Sequence, residues 1–313
     1  MYQITSKFLL PLLVLFTVVQ SSAVEAPYTD STNLVVFGDS GKDNQGQLDV
    51  SMAMQEFCTR EKCDYGALVG DVVYPTGVKS AKDPILETMF DKYYNPLNIP
   101  FIISLGNHDY GKLTLQWKRG YYHKLHAQKN PNYLFPHYYY VHETPEAVIA
   151  VLDTTRLMWI RSYTAQRKMV QAAYKRAQET GKWFFVQGHH PYLSNGKHGN
   201  AGYYEQFPLP FFASGRIVKK FFDRYVCGKA HFYLAGHDHS LQLMNGVQAG
   251  CETQLIVSGS GASSTKLYTR NFVEFESLEM GFFHFSIEAQ NVHVKAVNSN
   301  AEVMFEKSYT KTR

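Results

Sequence analysis

Asp71 stands at the end of a short apolar run and directly after a glycine, in Ala67-Leu68-Val69-Gly70-Asp71, with Tyr74 three residues further on. A carboxylate has two oxygens and can bridge two cations, and a phenol becomes a hard anionic ligand once a strongly charged metal displaces its proton. The same order of apolar run, glycine and polar side chain recurs. Leu34 to Phe37 lead to Gly38-Asp39, and Phe101 to Leu105 lead to Gly106-Asn107-His108-Asp109. Trp183 to Val186 lead, after Gln187, to Gly188-His189, and Phe232 to Ala235 lead to Gly236-His237-Asp238-His239. Five strand-like runs that each end in a metal-competent side chain describe a binuclear metal site. Oxygen and imidazole donors without thiolate suit iron, zinc or manganese rather than copper(I) or an iron–sulfur cluster.

The elements that position these residues follow from the pattern around them. Strand-like and amphipathic helix-like runs alternate from about Asn33 to Gly236, which argues an α/β or layered α+β fold. In such a sheet, ligands gather at the carboxyl ends of the strands. Helices are expected over Gln47 to Arg60 (Met52, Met54 and Phe57 inward), Ile85 to Tyr94, Thr114 to Gln128, Thr164 to Thr180 and Ile217 to Val226. Thr164 is a candidate N-cap and Gly181 a stop signal. Tyr133 to His142 and Ala147 to Leu152 read as strands, the Tyr138-Tyr139-Tyr140 run as sheet packing. Further strands are expected over Gln254 to Ser258, Gly281 to Glu288, Asn291 to Val297 and Glu302 to Lys307, the last three as a meander. Residues Pro191 to Phe212, rich in Gly, Asn, Tyr and Pro, form a long loop that starts at a candidate ligand and is therefore expected to face the substrate.

In 313 residues with a net charge of +4 there is no run of five basic residues, which gives nucleic acid little support as a partner and suits anionic substrates. Lys7 followed by the apolar run Phe8 to Val19 and by Ser21-Ser22-Ala23 reads as a signal peptide, residues 1–23, cut after Ala23. That run is shorter than the roughly 20 residues a membrane span needs. A secreted or periplasmic protein (a lysosome-type compartment in a eukaryote) with no membrane attachment after cleavage is expected. Export allows disulfides, and the four cysteines permit three pairings; proximity in sequence favours Cys58–Cys63 and Cys227–Cys251. Of the thirteen histidines, His123, His126, His137, His142, His284 and His293 lie away from the motifs and read as surface or core residues. His190 is expected to point away from His189, and Asp153 to serve as a turn or cap residue. No composition break divides the rest, so one catalytic domain over 30–313 is expected.

Taken together, Gly38-Asp39-Ser40-Gly41, Gly70-Asp71-Val72-Val73-Tyr74, Gly106-Asn107-His108-Asp109, Gly188-His189 and Gly236-His237-Asp238-His239 resemble the five motifs of the purple acid phosphatases. The likeness is to the small, tartrate-resistant, single-domain type within the calcineurin-like metallophosphoesterases. Tyr74, and Gly41 where the wider superfamily usually has a histidine, select that subgroup. The resemblance implies a four-layer αββα sandwich of class α+β, two mixed β-sheets flanked by helices. It implies a ferric ion held by Asp39, Asp71, Tyr74 and His239, and a divalent iron, zinc or manganese ion held by Asp71, Asn107, His189 and His237. His108 and His198 match two histidines that contact the phosphate and assist the leaving group, and Asp109 matches a residue orienting a neighbouring ring.

The implied activity is an acid phosphatase, probed on small phosphate monoesters and attacking them with a metal-activated hydroxide, in a monomer. A phosphodiesterase or nucleotide hydrolase on the same dimetal core is the alternative. A non-catalytic binding protein on a decayed scaffold is the reading of another class, disfavoured because all seven ligands and both histidines are present. Two positions depart from the family pattern: Lys42 replaces a glycine and Val72 an asparagine. Lys42 is expected to be a solvated surface lysine.

Overall fold

Leu34-Val35-Val36-Phe37, Ala67-Leu68-Val69 and Phe101-Ile102-Ile103 are apolar at every position, which suits strands covered on both faces. The computed structural model, which describes residues 31–204 and 215–312, places them in the middle of a sheet. The expected signal peptide and residues 205–212 of the long loop lie outside the described residues.

The chain begins with β1 (Thr32–Phe37), α1 (Gln45–Arg60), β2 (Tyr65–Val69), α2 (Lys92–Tyr94), β3 (Phe101–Ser104), α3 (Arg119–Ala127) and β4 (Tyr133–Leu134). It continues through β5 (Tyr140–Glu143), β6 (Ala147–Val151), α4 (Thr154–Met158), α5 (Tyr163–Thr180), β7 (Trp183–Gln187), α6 (Arg216–Tyr225) and β8 (Phe232–Ala235). It closes with β9 (Leu241–Asn245), β10 (Gln254–Ser258), β11 (Phe275–Ser277), β12 (Gly281–Ile287), β13 (Asn291–Asn298) and β14 (Val303–Thr310). The strands form two seven-stranded mixed sheets, ordered β14-β13-β12-β1-β2-β3-β4 and β11-β9-β10-β8-β7-β6-β5. Strands β1 to β4 run parallel, as do β6, β7, β8 and β10, so their carboxyl ends share one edge of each sheet.

Side-chain alternation divides the second sheet between two cores. Ala147, Ile149, Val151, Trp183, Phe185, Phe232 and Leu234 face the first sheet. Val148, Ala150, Phe184, Val186, Tyr233 and Ala235 pack with Leu157, Val170, Phe221 and Phe222 of the helices. Buried polar ties cross the interface between the sheets. The buried Gln187 amide donates to the carbonyls of Leu68 (3.1 Å) and Ile102 (3.0 Å), and the Ser258 hydroxyl donates to that of Val36 (2.7 Å).

Several expectations shift in detail. The helix around Met54 starts at the Asn44 cap, whose side chain accepts from Gln47 N; Met54 and Phe57 are buried, but Met52 is 58% exposed. Helix α5 begins one residue before Thr164, which therefore does not cap it, and Gly181 ends it in the left-handed region. Only Arg119–Ala127 of the expected 114–128 helix forms, because Leu115 (φ 47°) turns the chain left-handed just before it. The aromatic stretch 133–142 is two strands in different sheets, split at Pro136. The Tyr140 hydroxyl reaches back, accepting from Ile103 N (2.9 Å) and donating to Leu134 O (2.8 Å). Strands β9 and β11 were not anticipated; buried Gln242 breaks the apolar pattern of the first. The disulfides are Cys58–Cys63 and Cys227–Cys251, as expected.

His123 is buried on α3, hydrogen-bonded through Nδ1 to the Tyr133 hydroxyl (2.7 Å), with Nε2 3.7 Å from Asp109. Burial pushes the imidazole down to about 3, and burial with the Asp71 charge lifts the Asp109 carboxyl above the usual carboxylate range. Folding thus resists protonating His123, a contribution present above pH about 6.5 and lost as the pH falls toward 3. Acid unfolding followed by circular dichroism checks this: relative to His123→Gln, the parent should lose up to about 1.4 kcal/mol per pH unit across that window. Parallel curves would show that His123 takes no part.

Candidate metal centre

The loops leaving β1, β2, β3, β7 and β8 meet at the shared edge of the two sheets. Asp39 N donates to Gly70 O (3.0 Å) and Tyr74 N to Gly41 O (2.8 Å), which fastens the first two loops together. Gly41 has no room for a side chain, because a Cβ there would lie 1.7 Å from Val72 O. Asp39, Asp71 and His237 all sit in the left-handed region (φ 57°, 52° and 70°), a conformation that costs about 1–2 kcal/mol for a residue with a Cβ. That cost is accepted where it aims a side chain.

Each buried carboxylate spends one oxygen on backbone and turns the other inward. Asp71 Oδ1 accepts from His108 N (2.9 Å) and Asp39 Oδ2 from His237 N (2.8 Å). Asp39 Oδ1 and Asp71 Oδ2 both meet the Tyr74 hydroxyl, at 3.0 and 2.8 Å. His239 Nε2 completes this group, 3.1 Å from that hydroxyl and 3.5 Å from Asp39 Oδ1. A second group forms around His189 Nε2, which lies 3.4 Å from Asp71 Oδ2, 3.1 Å from Asn107 Oδ1 and 3.2 Å from His237 Nδ1. All seven residues singled out as metal ligands are therefore together, in two sets of four that share Asp71.

The chemistry of this donor set tests whether cations fit. His189 Nδ1 faces the Val69 carbonyl at 2.9 Å and must carry the proton there, since a carbonyl only accepts. Nε2 faces two oxygen acceptors, so a positive charge, either a second ring proton or a metal ion, has to stand between them. Burial alone would lower the imidazole, yet Asp71 and Asp39 lift it to about 10. Burial would likewise raise the Asp71 carboxyl, but His189 and His108 hold it well below the usual carboxylate range. The Tyr74 phenol is pushed far up by burial, Asp39 and Asp71. It can ionise only beside a cation of high charge. The site fits two multivalent metal ions.

A cavity of about 480 Å³ opens above the donors, lined among others by His108 and His198. The His108 ring lies 4.2 Å from that of Tyr74, its Nδ1 bonded to Pro75 O (2.6 Å), and the His198 ring lies 4.1 Å from that of His237. Asp238, between the two histidines of its motif, was not assigned a role from the sequence. Its buried carboxylate accepts from His198 N (2.8 Å), Gly199 N (3.3 Å) and the Ser194 hydroxyl (2.5 Å), so it anchors the loop that carries His198.

Three expectations are corrected. Asp109 orients no neighbouring ring by a hydrogen bond; it accepts from Gly106 N, Val72 N and Val73 N and so ties the loops after β2 and β3, with His123 Nε2 3.7 Å away. Lys42 is not a free surface lysine. It is half-buried over the Tyr74 ring (4.8 Å to the centroid) and donates to the Ser263 hydroxyl (2.5 Å), which is itself 3.1 Å from His239 Nδ1. Burial lowers its ammonium against the opposing pull of Asp39 and Asp71. Asp153 caps α4 through Arg156 N, as expected, whereas His190, bonded through Nδ1 to the Thr154 hydroxyl (2.8 Å), does not point away: its ring lies 4.5 Å from that of His237 and 5.0 Å from that of His189.

Residues 32–241 match the calcineurin-like phosphoesterase family. Purple acid phosphatase 3 of Arabidopsis thaliana is 27% identical over 286 residues, covering 85% of this chain and 72% of that protein. Tartrate-resistant acid phosphatase type 5 of Sus scrofa is 25% identical, covering 73% and 66%. Among solved structures, GAP50, the anchor in the inner membrane complex of Plasmodium, matches with a TM-score of 0.68 at 20% identity over 90% of both chains. A dimetal phosphatase from Danio rerio matches with 0.53 at 12% identity over 89% of this chain and 98% of that one. These structural likenesses concern the fold.

A Cβ on Gly106 would lie 2.1 Å from Asp71 Oδ1, the oxygen that accepts from His108 N. Gly106→Ala should therefore displace the shared carboxylate and weaken metal retention about 10–100-fold while the fold persists. Metal content by mass spectrometry beside a far-ultraviolet circular dichroism spectrum checks this; full metal content would contradict the bridging position of Asp71.

Proposed function

The chain belongs to the calcineurin-like phosphoesterases, and on that premise we propose that it is a dimetal acid phosphatase hydrolysing phosphate monoesters. The observation that carries this is the pair of four-residue donor sets sharing Asp71, beneath a cavity that His108 and His198 line. The tyrosine in the first set supports a ferric ion at Asp39, Asp71, Tyr74 and His239, because only a high charge offsets what burial and two carboxylates do to the phenol. Asn107, His189 and His237 with Asp71 suit a divalent iron, zinc or manganese ion. When bound, such a pair supplies Lewis acidity toward phosphate oxygens and a water of lowered pKa.

The chain's own residues do the rest. Asp71 fixes the spacing of the two sets. His108, with Nδ1–H committed to Pro75 O, would as an imidazolium give its Nε2 proton to the departing oxygen. His198, on the loop that Asp238 anchors, lines the same cavity, which supports a role in donating to a phosphate oxygen. The complete donor set weighs against a purely scaffolding role such as that named for the Plasmodium relative. The apolar leader and the two disulfides support export.

The test is hydrolysis of p-nitrophenyl phosphate by the metal-loaded protein from acid to alkaline pH, with the bis-ester in parallel. An acidic optimum and preference for the monoester are expected; preference for the diester would make the protein a phosphodiesterase. His108→Ala should lower turnover about 10²–10⁴-fold with metal content unchanged. Tyr74→Phe should bleach the visible absorption of the iron-loaded protein, and a colour that survives would remove the phenolate from the iron site.

A further inference from the structure

The cavity over the donors carries more positive charge than one phosphate requires. Beyond the candidate ligands and the two histidines it is lined by Lys112, Lys197 and Arg270, with Thr265 and Tyr268, and among the described residues its only carboxylate is the candidate ligand Asp71. The three cations come from three separate loops, those after β3, after β7 and between β10 and β11. None is ion-paired with a carboxylate among the described residues. Cations on a surface usually scatter among acids; among the described residues three converge on one opening with no carboxylate besides Asp71.

Two of these loops are built into one rim. Asn195, 2% exposed, accepts through Oδ1 from Arg270 N (3.2 Å) and Asn271 N (2.8 Å), and its backbone carbonyl accepts from Tyr268 N (2.7 Å). The Asn200 and Asn271 amides bond each other reciprocally at 3.0 and 2.9 Å. Arg270 donates through Nη1 to Gly196 O and stacks 4.6 Å from the Tyr268 ring, which orients the guanidinium and leaves its other N–H groups available. The ordering is done when the chain folds, so an anion arriving at the rim meets donors already in place.

We propose that Lys112, Lys197 and Arg270 form a subsite for a second phosphate group, so that diphosphates are the preferred substrates of this site. The inference rests on the dimetal phosphatase reading and names its substrate class. In the step, a water oxygen bonds to the terminal phosphorus and the bridging P–O bond breaks. Its electron pair stays on the bridging oxygen, and the three cations hold the phosphate that leaves with it. One inorganic phosphate and the second phosphate, free or still esterified, result, and the proton released by the water goes to the leaving oxygen or to solvent.

The experiment compares the parent with Lys112→Gln/Lys197→Gln, both metal-loaded and checked for metal content after each assay. For the parent, kcat/KM on inorganic diphosphate should exceed that on p-nitrophenyl phosphate, and the ratio of the two should fall at least ten-fold in the variant. Calorimetric titration gives a readout independent of turnover. Methylenediphosphonate should bind the parent at least ten-fold more tightly than methylphosphonate, and the variant should lose that advantage. An unchanged ratio and unchanged relative affinities overturn the subsite. A parent that hydrolyses neither substrate but keeps the diphosphonate preference overturns the phosphatase reading while the anion subsite stands; one that hydrolyses the monoester and binds both phosphonates equally does the reverse.

Discussion

Two carboxylates, Asp39 and Asp71, are buried side by side where the two sheets meet, and the rest of the structure answers to that placement. Their ligand atoms and that of His189 lie within 4.8 Å of one another. Like charges at that separation, out of water, cost several kcal/mol unless something positive stands between them. The chain supplies compensation through the backbone N–H groups of His108 and His237 and the His189 ring, in a donor set that also fits cations. Gln187 and Ser258 hold the sheets in register just beneath, where any slippage would pull the two donor sets apart.

Function and strain coincide here. The same three residues that aim donors inward, Asp39, Asp71 and His237, carry the left-handed backbone. Two further carboxylates, Asp109 and Asp238, hold no candidate ligand ring and instead gather backbone N–H groups from neighbouring loops. The inner donors are thus supported by an outer pair of carboxyl groups that fix loops. A carboxylate suits that task because it can accept several backbone hydrogen bonds at once.

What could be read from the sequence was whatever repeats locally. Runs such as Leu34 to Phe37 followed by Gly38-Asp39 reveal strand, turn and ligand within six residues, and five such junctions sufficed to assemble the donor set. Features that depend on distant partners were not legible. Tyr133 and Tyr140 look like one aromatic strand, and only the crossing between sheets separates them. Lys42 reads as a surface lysine because Ser263, which holds it, is far away in the chain. The rim built from Asn195, Asn200 and Asn271 has no sequence period at all. Met52 shows the same limit within a helix, where its neighbours decide which face is covered.

The path of the chain has a consequence for its birth. Strand β1 lies in the interior of the first sheet, between β2 and the late strand β12, while the whole second sheet is spelled out between them. A growing chain therefore holds Asp39 and Asp71 long before the strand that closes β1's open side exists. Contacts between segments so distant in sequence close slowly. The candidate metal centre is therefore assembled late, once the final third of the polypeptide has returned to its beginning.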